Sequence, residues 1–335
     1  MVGGIGGIPL TGNWYWVNPA AGSDGNDGQS PETPFATLYR AHAAMTAGNN
    51  DVCVLVGNGA TSGTARLSTA LAQTIDSSVT AGTLVWSKNA CHLIGETAPT
   101  MVAQRARIAP PSGTYTVTTF GSANFVTVSA AGCIFANFSL FNGFSTGGAS
   151  QICWTDSGGR NYYYNVNFGG MGDAGSAGDA GSAGDAGSRS LKLSGTTGEN
   201  TFVNCEVGLD TVTRSAANAS LEFAGGTPRN TFIGCNFPFQ TSAATPLGII
   251  VSAAAGIDRW QNFVNCTFVN NIKSTSTAMD GLATLAASAG GLILMKSCTM
   301  VGITEFGTDA TSRGLMYVDG GAPTAATSGI AVNPT

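Results

Sequence analysis

The sequence predicts an all-β solenoid, a chain wound into stacked coils. Three observations carry this: a short phrase that recurs at a near-constant interval, period-two alternation inside each copy, and a composition rich in glycine and poor in charge. Missing an internal repeat mis-assigns a whole fold, so the repeat comes first. The phrase reads NTFVNCEVG at 200–208, NTFIGCNFPF at 230–239 and QNFVNCTFVNN at 261–271, with looser copies LMKSCTMVG at 294–302, YYYNVNFGG at 162–170 and IFANFSLFNG at 134–143. Aligned on one column, Phe138, Val166, Cys205, Cys235, Cys266 and Cys298 stand 28, 39, 30, 31 and 32 residues apart.

Within a phrase, Val203, Cys205 and Val207 alternate with Asn204 and Glu206, the signature of a strand with one buried face. One or two such strands per unit of about 30 residues imply stacked coils, with equivalent residues about 4.8 Å apart. Cys205, Cys235, Cys266 and Cys298 then form an internal ladder. Phe202, Phe232 and Phe263, three places earlier, have the wrong parity and join the core only if the chain bends just before the column. That bend is expected. Side chains stacked in register point the same way, which is poor disulfide geometry, so free thiols are expected. The asparagines preceding the column (Asn137, Asn165, Asn204, Asn265) suit a turn or a hydrogen-bonded ladder. With two histidines in the chain, neither near the column, no metal set forms there.

The 39-residue interval contains GGMGDAGSAGDAGSAGDAGS at 169–188, a six-residue repeat inserted into one coil. Glycine at every third position raises a collagen-like trimer, but no triplet holds proline. A loosely packed surface loop is the simpler reading. A glycine-packed contact with a neighbouring subunit lies between the two, through Gly172, Asp173, Gly175, Asp179 and Asp185.

Composition narrows the function classes. Charged residues are 10% of the chain, against about 25% in an average domain, and the net charge of −5 offers no footprint for nucleic acid. No apolar run approaches the roughly 18 residues of a membrane span. The start, MVGGIGGIPLTG, has neither a basic n-region nor an apolar h-region, so no signal peptide is read. Eight cysteines in 335 residues do not make a small disulfide scaffold.

The segment 14–45, WYWVNPAAGSDGNDGQSPETPFATLYRAHAAM, resembles the N-terminal segment of right-handed parallel β-helix proteins, the pectin-lyase-like solenoids common in phage tails and bacterial surface proteins. DVCVLVGNG at 51–59 stands where the first coil strand is expected. CHLIGETAP at 91–99, with its Leu-Ile-Gly-Glu turn, and RARIAP at 105–110 resemble an early coil. The resemblance implies an all-β, single-stranded, right-handed parallel β-helix with a short N-terminal capping helix. Its parts are an arm at 1–12, a strand, Asp/Asn/Gly loop and capping helix at 13–50, the β-helix at 51–318 and an extended tail at 319–335. Thr33 can cap a helix beginning at Pro34, with Phe35, Leu38, Ala41 and either His42 or Met45 laid over the first coil. Asp24, Asn26 and Asp27 offer hard oxygens for calcium, but a full site needs six to eight, so the loop reads mainly as a corner.

Glycan cleavage needs two carboxylates about 5–9.5 Å apart. The outward position after the column reads Asn167, Glu206, Asn236, Thr267, Thr299, a single acid. Glu206 with Asp210 or with Glu222 is the best hydrolase pair, and solvated surface acids are the plain alternative. Asp258 and Arg259 read as a surface ion pair. The trios Trp14-Tyr15-Trp16 and Tyr162-Tyr163-Tyr164 are sugar-stacking candidates that alternation divides between core and surface. The expectation is therefore no enzyme and no cofactor beyond that calcium candidate. The expected role is that of a structural virion protein of a bacteriophage, a capsid decoration or cement protein assembled in the host cytoplasm. Its expected partners are two further copies in a homotrimer and the major capsid protein or other virion proteins. The alternative is a tail spike or fibre that binds, and cleaves or not, a surface polysaccharide.

Overall fold

A computed structural model describes residues 4–5, 8–57, 84–98, 106–108, 124–140, 152–169, 186–271, 277–286 and 289–319. Almost every strand is parallel to its neighbours, and the strands sort into three sheets that the chain visits in turn. Sheet 1 contains Trp14–Val17, Val52–Val56, His92–Glu96, Ile134–Ala136, Tyr162–Tyr164, Thr201–Val203, Thr231–Ile233, Ile257–Val264, Gly291–Lys296 and Met316–Val318. Sheet 2 follows seven of these, those from His92–Glu96 to Gly291–Lys296: Arg107–Ile108, Ser139–Leu140, Asn167–Phe168, Glu206–Val207, Asn236–Phe239, Thr267–Asn270 and Thr299–Val301. Sheet 3 closes the coil with Leu84–Trp86, Asn124–Val128, Ile152–Asp156, Arg189–Leu193, Ala219–Phe223, Leu247–Val251, Met279–Leu285 and Ile303–Gly307. The result is a parallel β-helix with three strands per coil, where the repeated phrase implies one or two. The phrase spans only sheets 1 and 2; the sheet 3 strands lie in stretches without a shared motif.

The expected bend is present. Asn137, Asn165, Asn204 and Asn265 have φ of 59°, 52°, 51° and 53°, and Gly234 and Ser297 take the same place with 61° and 52°. This left-handed corner joins sheet 1 to sheet 2, and asparagine tolerates it better than most residues. The Asn165 side chain donates to Asn137 Oδ1 at 3.1 Å, so part of the corner is also a ladder. Because the corner resets parity, Phe202 and Cys205 both reach the core, as do Phe232 with Cys235 and Phe263 with Cys266. The same reset turns Val203 and Val264 outward, half-buried, so the alternation read through Val203, Cys205 and Val207 breaks at Asn204.

All eight cysteines are free and buried. In the column, the thiols of Cys235, Cys266 and Cys298 donate to the carbonyls of Phe202, Phe232 and Phe263, each at 3.5 Å. Alongside runs a stack of parallel rings, Tyr163–Phe202–Phe232–Phe263, with centroids 4.5–4.7 Å apart and planes within 5°.

The first helix is Leu38–Ala44, capped by Thr37 rather than Thr33. Two contacts displace its start: Phe35 is extended and bridges Val17, and the Asp24 carboxylate accepts from the amides of Ala36 and Thr37. Leu38, Ala41 and Met45 face the coil, while His42 packs its ring 4.9 Å from Trp86. Residues 93–96 lie inside the strand His92–Glu96 instead of forming a turn. Gly95 is needed there because a Cβ would meet the Asn137 carbonyl oxygen at 2.0 Å. At the N terminus, Gly4–Ile5 and Ile8–Pro9 pair antiparallel, and Leu10 packs with Val52, Val54, Ile134 and Ala136 outside sheet 1. Most of the 169–188 insertion, with Gly172, Asp173, Gly175, Asp179 and Asp185, lies outside the described residues, as does the tail from 320. Among the described residues, no helix is long and apolar enough to cross a membrane.

Candidate functional site

Sheet 2 sets Ser139, Asn167, Glu206 and Asn236 in register on its outer side. Glu206 is not a solvated acid: it is 2% exposed, and Ser139 and Asn167 are buried with it. Asn167 Nδ2 donates to one carboxylate oxygen and Asn236 Nδ2 to the other at 3.4 Å, while Ser139 Oγ bonds Asn167 Oδ1 at 3.2 Å. Burial pushes the Glu206 pKa up to about 7, the two amides oppose it, and the charge of Asp210 adds to the rise. Asp210 is thus close enough to be felt. A carboxyl titrating near neutrality can serve as a general acid, but both of its oxygens already have amide partners.

Glu222 lies on sheet 3, between Leu221 and Phe223, so the fold separates it from Glu206 by a corner. It too is buried. Arg189 Nε donates to it at 3.0 Å, Ser252 Oγ at 2.8 Å, and Lys192 Nζ lies 3.5 Å away. Its carboxylate is saturated by two cations and a hydroxyl. Arg214, which drew no notice in the sequence, is fully enclosed nearby. It donates to Asn218 Oδ1 and O at 2.7 Å, to Leu247 O at 2.8 Å and to Ser220 Oγ at 3.3 Å, with its guanidinium over the Phe239 ring. Burial, with Arg189 adding, lowers its pKa to about 9. It is the only arginine in the segment 208–218, among Thr, Ser and Ala, and no sequence pattern marks it. Asp258 and Arg259 form the exposed ion pair read from the sequence, at 3.6 Å.

The Asp/Asn/Gly loop spends its polar groups on itself. Asp24 accepts from Ala36 N, Thr37 N and Thr37 Oγ1, Asn26 donates to Pro34 O, and Asp27 accepts from Gln29 N and Thr33 Oγ1. Among the described residues, no three His, Cys, Asp or Glu side chains gather into a metal-binding group.

A second buried ladder precedes the aromatic stack. Asn161, Asn200, Asn230 and Gln261 each use a side-chain oxygen to accept the backbone N–H one coil earlier, from Cys133, Asn161, Asn200 and Asn230 at 2.8–3.2 Å. The signal was the first letter of three of the repeated phrases. Asp156 ends this ladder: its carboxylate accepts from Tyr163 Oη at 2.6 Å, Asn161 Nδ2 and the amides of Gly158 and Gly159. Both features hold corners together and leave no group free for chemistry.

The outer side of sheet 1 differs from the other faces. One column reads Trp16, Val54, Ile94, Ala136, Tyr164, Val203, Ile233, Val264 and Lys296, in register from coil to coil. Alternation divides the aromatic trios as expected: Tyr15 and Tyr163 are inside, while Trp14, Trp16, Tyr162 and Tyr164 are outside and half-buried. At the C-terminal end the face opens into a groove of 480 Å³ lined by Asn262, Leu294, Met295, Lys296, Ser297, Tyr317 and Asp319.

No family model matches the chain, and no curated protein matches it in sequence. Solved structures do match. A pectin methylesterase from Erwinia chrysanthemi is 15% identical with a TM-score of 0.52, over 88% of this chain and 80% of that one. A rhamnogalacturonan lyase is 12% identical with a TM-score of 0.52, over 88% and 70%. A pectate lyase is 14% identical with a TM-score of 0.50, over 96% and 74%. At such identities the likeness is one of fold, and the fold is the right-handed parallel β-helix.

Proposed function

We propose that the protein is a structural component of a bacteriophage particle, a capsid decoration or cement protein that works through its faces rather than through bond chemistry. The observation that carries this reading is the outer side of sheet 1: Leu10 covers the early part of the column at Val54 and Ala136, and the rest, through Tyr164, Val203, Ile233 and Val264, is an apolar strip with Lys296 the one charge in its column. An extended uncharged strip suits lasting contact with other proteins better than it suits water. Two further features support it. Glu206 and Glu222, two of the three acids considered for glycan cleavage, sit on different sheets with their oxygens occupied, and the segment 14–45 resembles β-helices common in phage tails and bacterial surface proteins. The test is quantitative mass spectrometry of purified particles. A fixed stoichiometry to the major capsid protein is expected; absence from every particle would overturn the reading.

A spike or fibre that binds polysaccharide is the second reading, favoured by the outward Trp14, Trp16, Tyr162 and Tyr164, since exposed rings stack on sugars. The neighbours of known structure include enzymes named for pectin and rhamnogalacturonan. Release of reducing ends from host surface polysaccharide, abolished by Glu206→Gln, would move the assignment to this class.

A further inference from the structure

We propose that the last coils of sheet 1 form a self-association surface whose occupant is a second copy of this chain. The inference stands apart from the virion reading and holds whichever function is correct. Among the described residues, large hydrophobic side chains are strongly exposed at only three places, and two of them, Trp260 at 41% and Ile233 at 38%, lie on this face. Trp260 precedes the groove residue Asn262 by two positions on one strand, so both point outward from the sheet. The groove floor is apolar at the outward Leu294, and Tyr317 closes it on the next coil. An exposed indole beside a groove large enough for an aromatic anchor is the knob and the hole of one contact carried on one surface.

Charge selects the occupant. Lys296 and Asp319 lie at the edge toward sheet 2, and Arg259 and Asp258 at the opposite edge. The Arg259 edge continues one coil back with Arg229, paired to Glu199, so the rim mixes charges of both signs without a net excess, although the whole chain carries −5. A strongly basic or acidic partner finds no match in such a rim. A second copy does, because every sign on one copy has its opposite available on the other, as a symmetric contact requires. An apolar centre inside a mixed polar rim is also the general anatomy of protein interfaces.

The experiment is sedimentation velocity of the full chain from low to high micromolar concentration, beside Trp260→Ser and, as a second variant, Leu294→Arg, each checked for an unchanged melting temperature. The wild type should show a mass above one chain, and each variant should weaken self-association by about tenfold or more. A wild type that stays monomeric throughout overturns the proposal. So does an oligomer of unchanged affinity in both variants. A wild-type monomer that binds a different particle protein through Trp260 would assign the face to that partner and equally overturn it.

Discussion

At the scale of single residues, the fold buries acids that its sequence pattern would leave in water. Glu206 occupies an outward strand position yet is enclosed, and its pKa rises from 4.5 to about 7. An acid whose pKa is higher in the folded than in the unfolded state binds its proton more tightly when folded. Its contribution is therefore most favourable below about pH 4.5 and is lost as pH rises through about 7. The loss is on the order of 3 kcal/mol at most, by the conversion of a pKa difference to free energy. Glu206→Gln keeps the shape and removes the titration. Melting curves between pH 5 and 8 should fall more steeply for the wild type than for this variant; parallel curves would show that Glu206 ionises in the fold without penalty. The thiol column poses the opposite case. Cysteine suits the position after the corner because it is small, apolar and able to donate weakly to a phenylalanine carbonyl one coil back.

At the scale of elements, the corner between sheets 1 and 2 explains which parts of the fold were legible. The cysteine interval, the asparagine before it and the mis-phased phenylalanine together require a bend, and the left-handed corner supplies it. The third strand of each coil was not legible. Leu191, Leu221 and Ile249 are core residues in register, but their flanking residues share no motif, because loops of unequal length enter and leave sheet 3. The helix start was misplaced for a related reason. Thr33 and Pro34 form a good local cap, but Asp24, nine residues upstream, takes the amides of Ala36 and Thr37 and moves the cap to Thr37. The corner itself can be tested at Asn204, whose φ of 51° matches the 61° of Gly234 one coil on. Asn204→Gly should be nearly neutral in chemical denaturation. Asn204→Val should cost about 1–3 kcal/mol, since a β-branched residue resists the left-handed region. Equal stability of the two variants would mean the corner relaxes out of that conformation.

At the scale of the whole molecule, a solenoid has two ends, and an open end exposes core and unpaired strands. Here the N-terminal end is covered by the helix Leu38–Ala44, which lies against Trp14–Val17, Val52–Val56 and Leu84–Trp86. Lys88 fixes the cap from the first coil, donating to the carbonyls of His42, Ala43 and Met45 at 2.6–2.9 Å and so occupying acceptors that the helix end leaves open. Each coil touches only its neighbours, so damage to the cap should spread from that end rather than abolish the fold at once. Leu38→Asp places an unpaired charge at a fully buried cap position. Hydrogen exchange should then accelerate in Val52–Val56, Leu84–Trp86 and His92–Glu96, while Gly291–Lys296 and Met316–Val318 keep their protection. Uniform acceleration along the chain would mean that the coils unfold as a single cooperative unit, and that the helix holds the whole rod rather than one end of it.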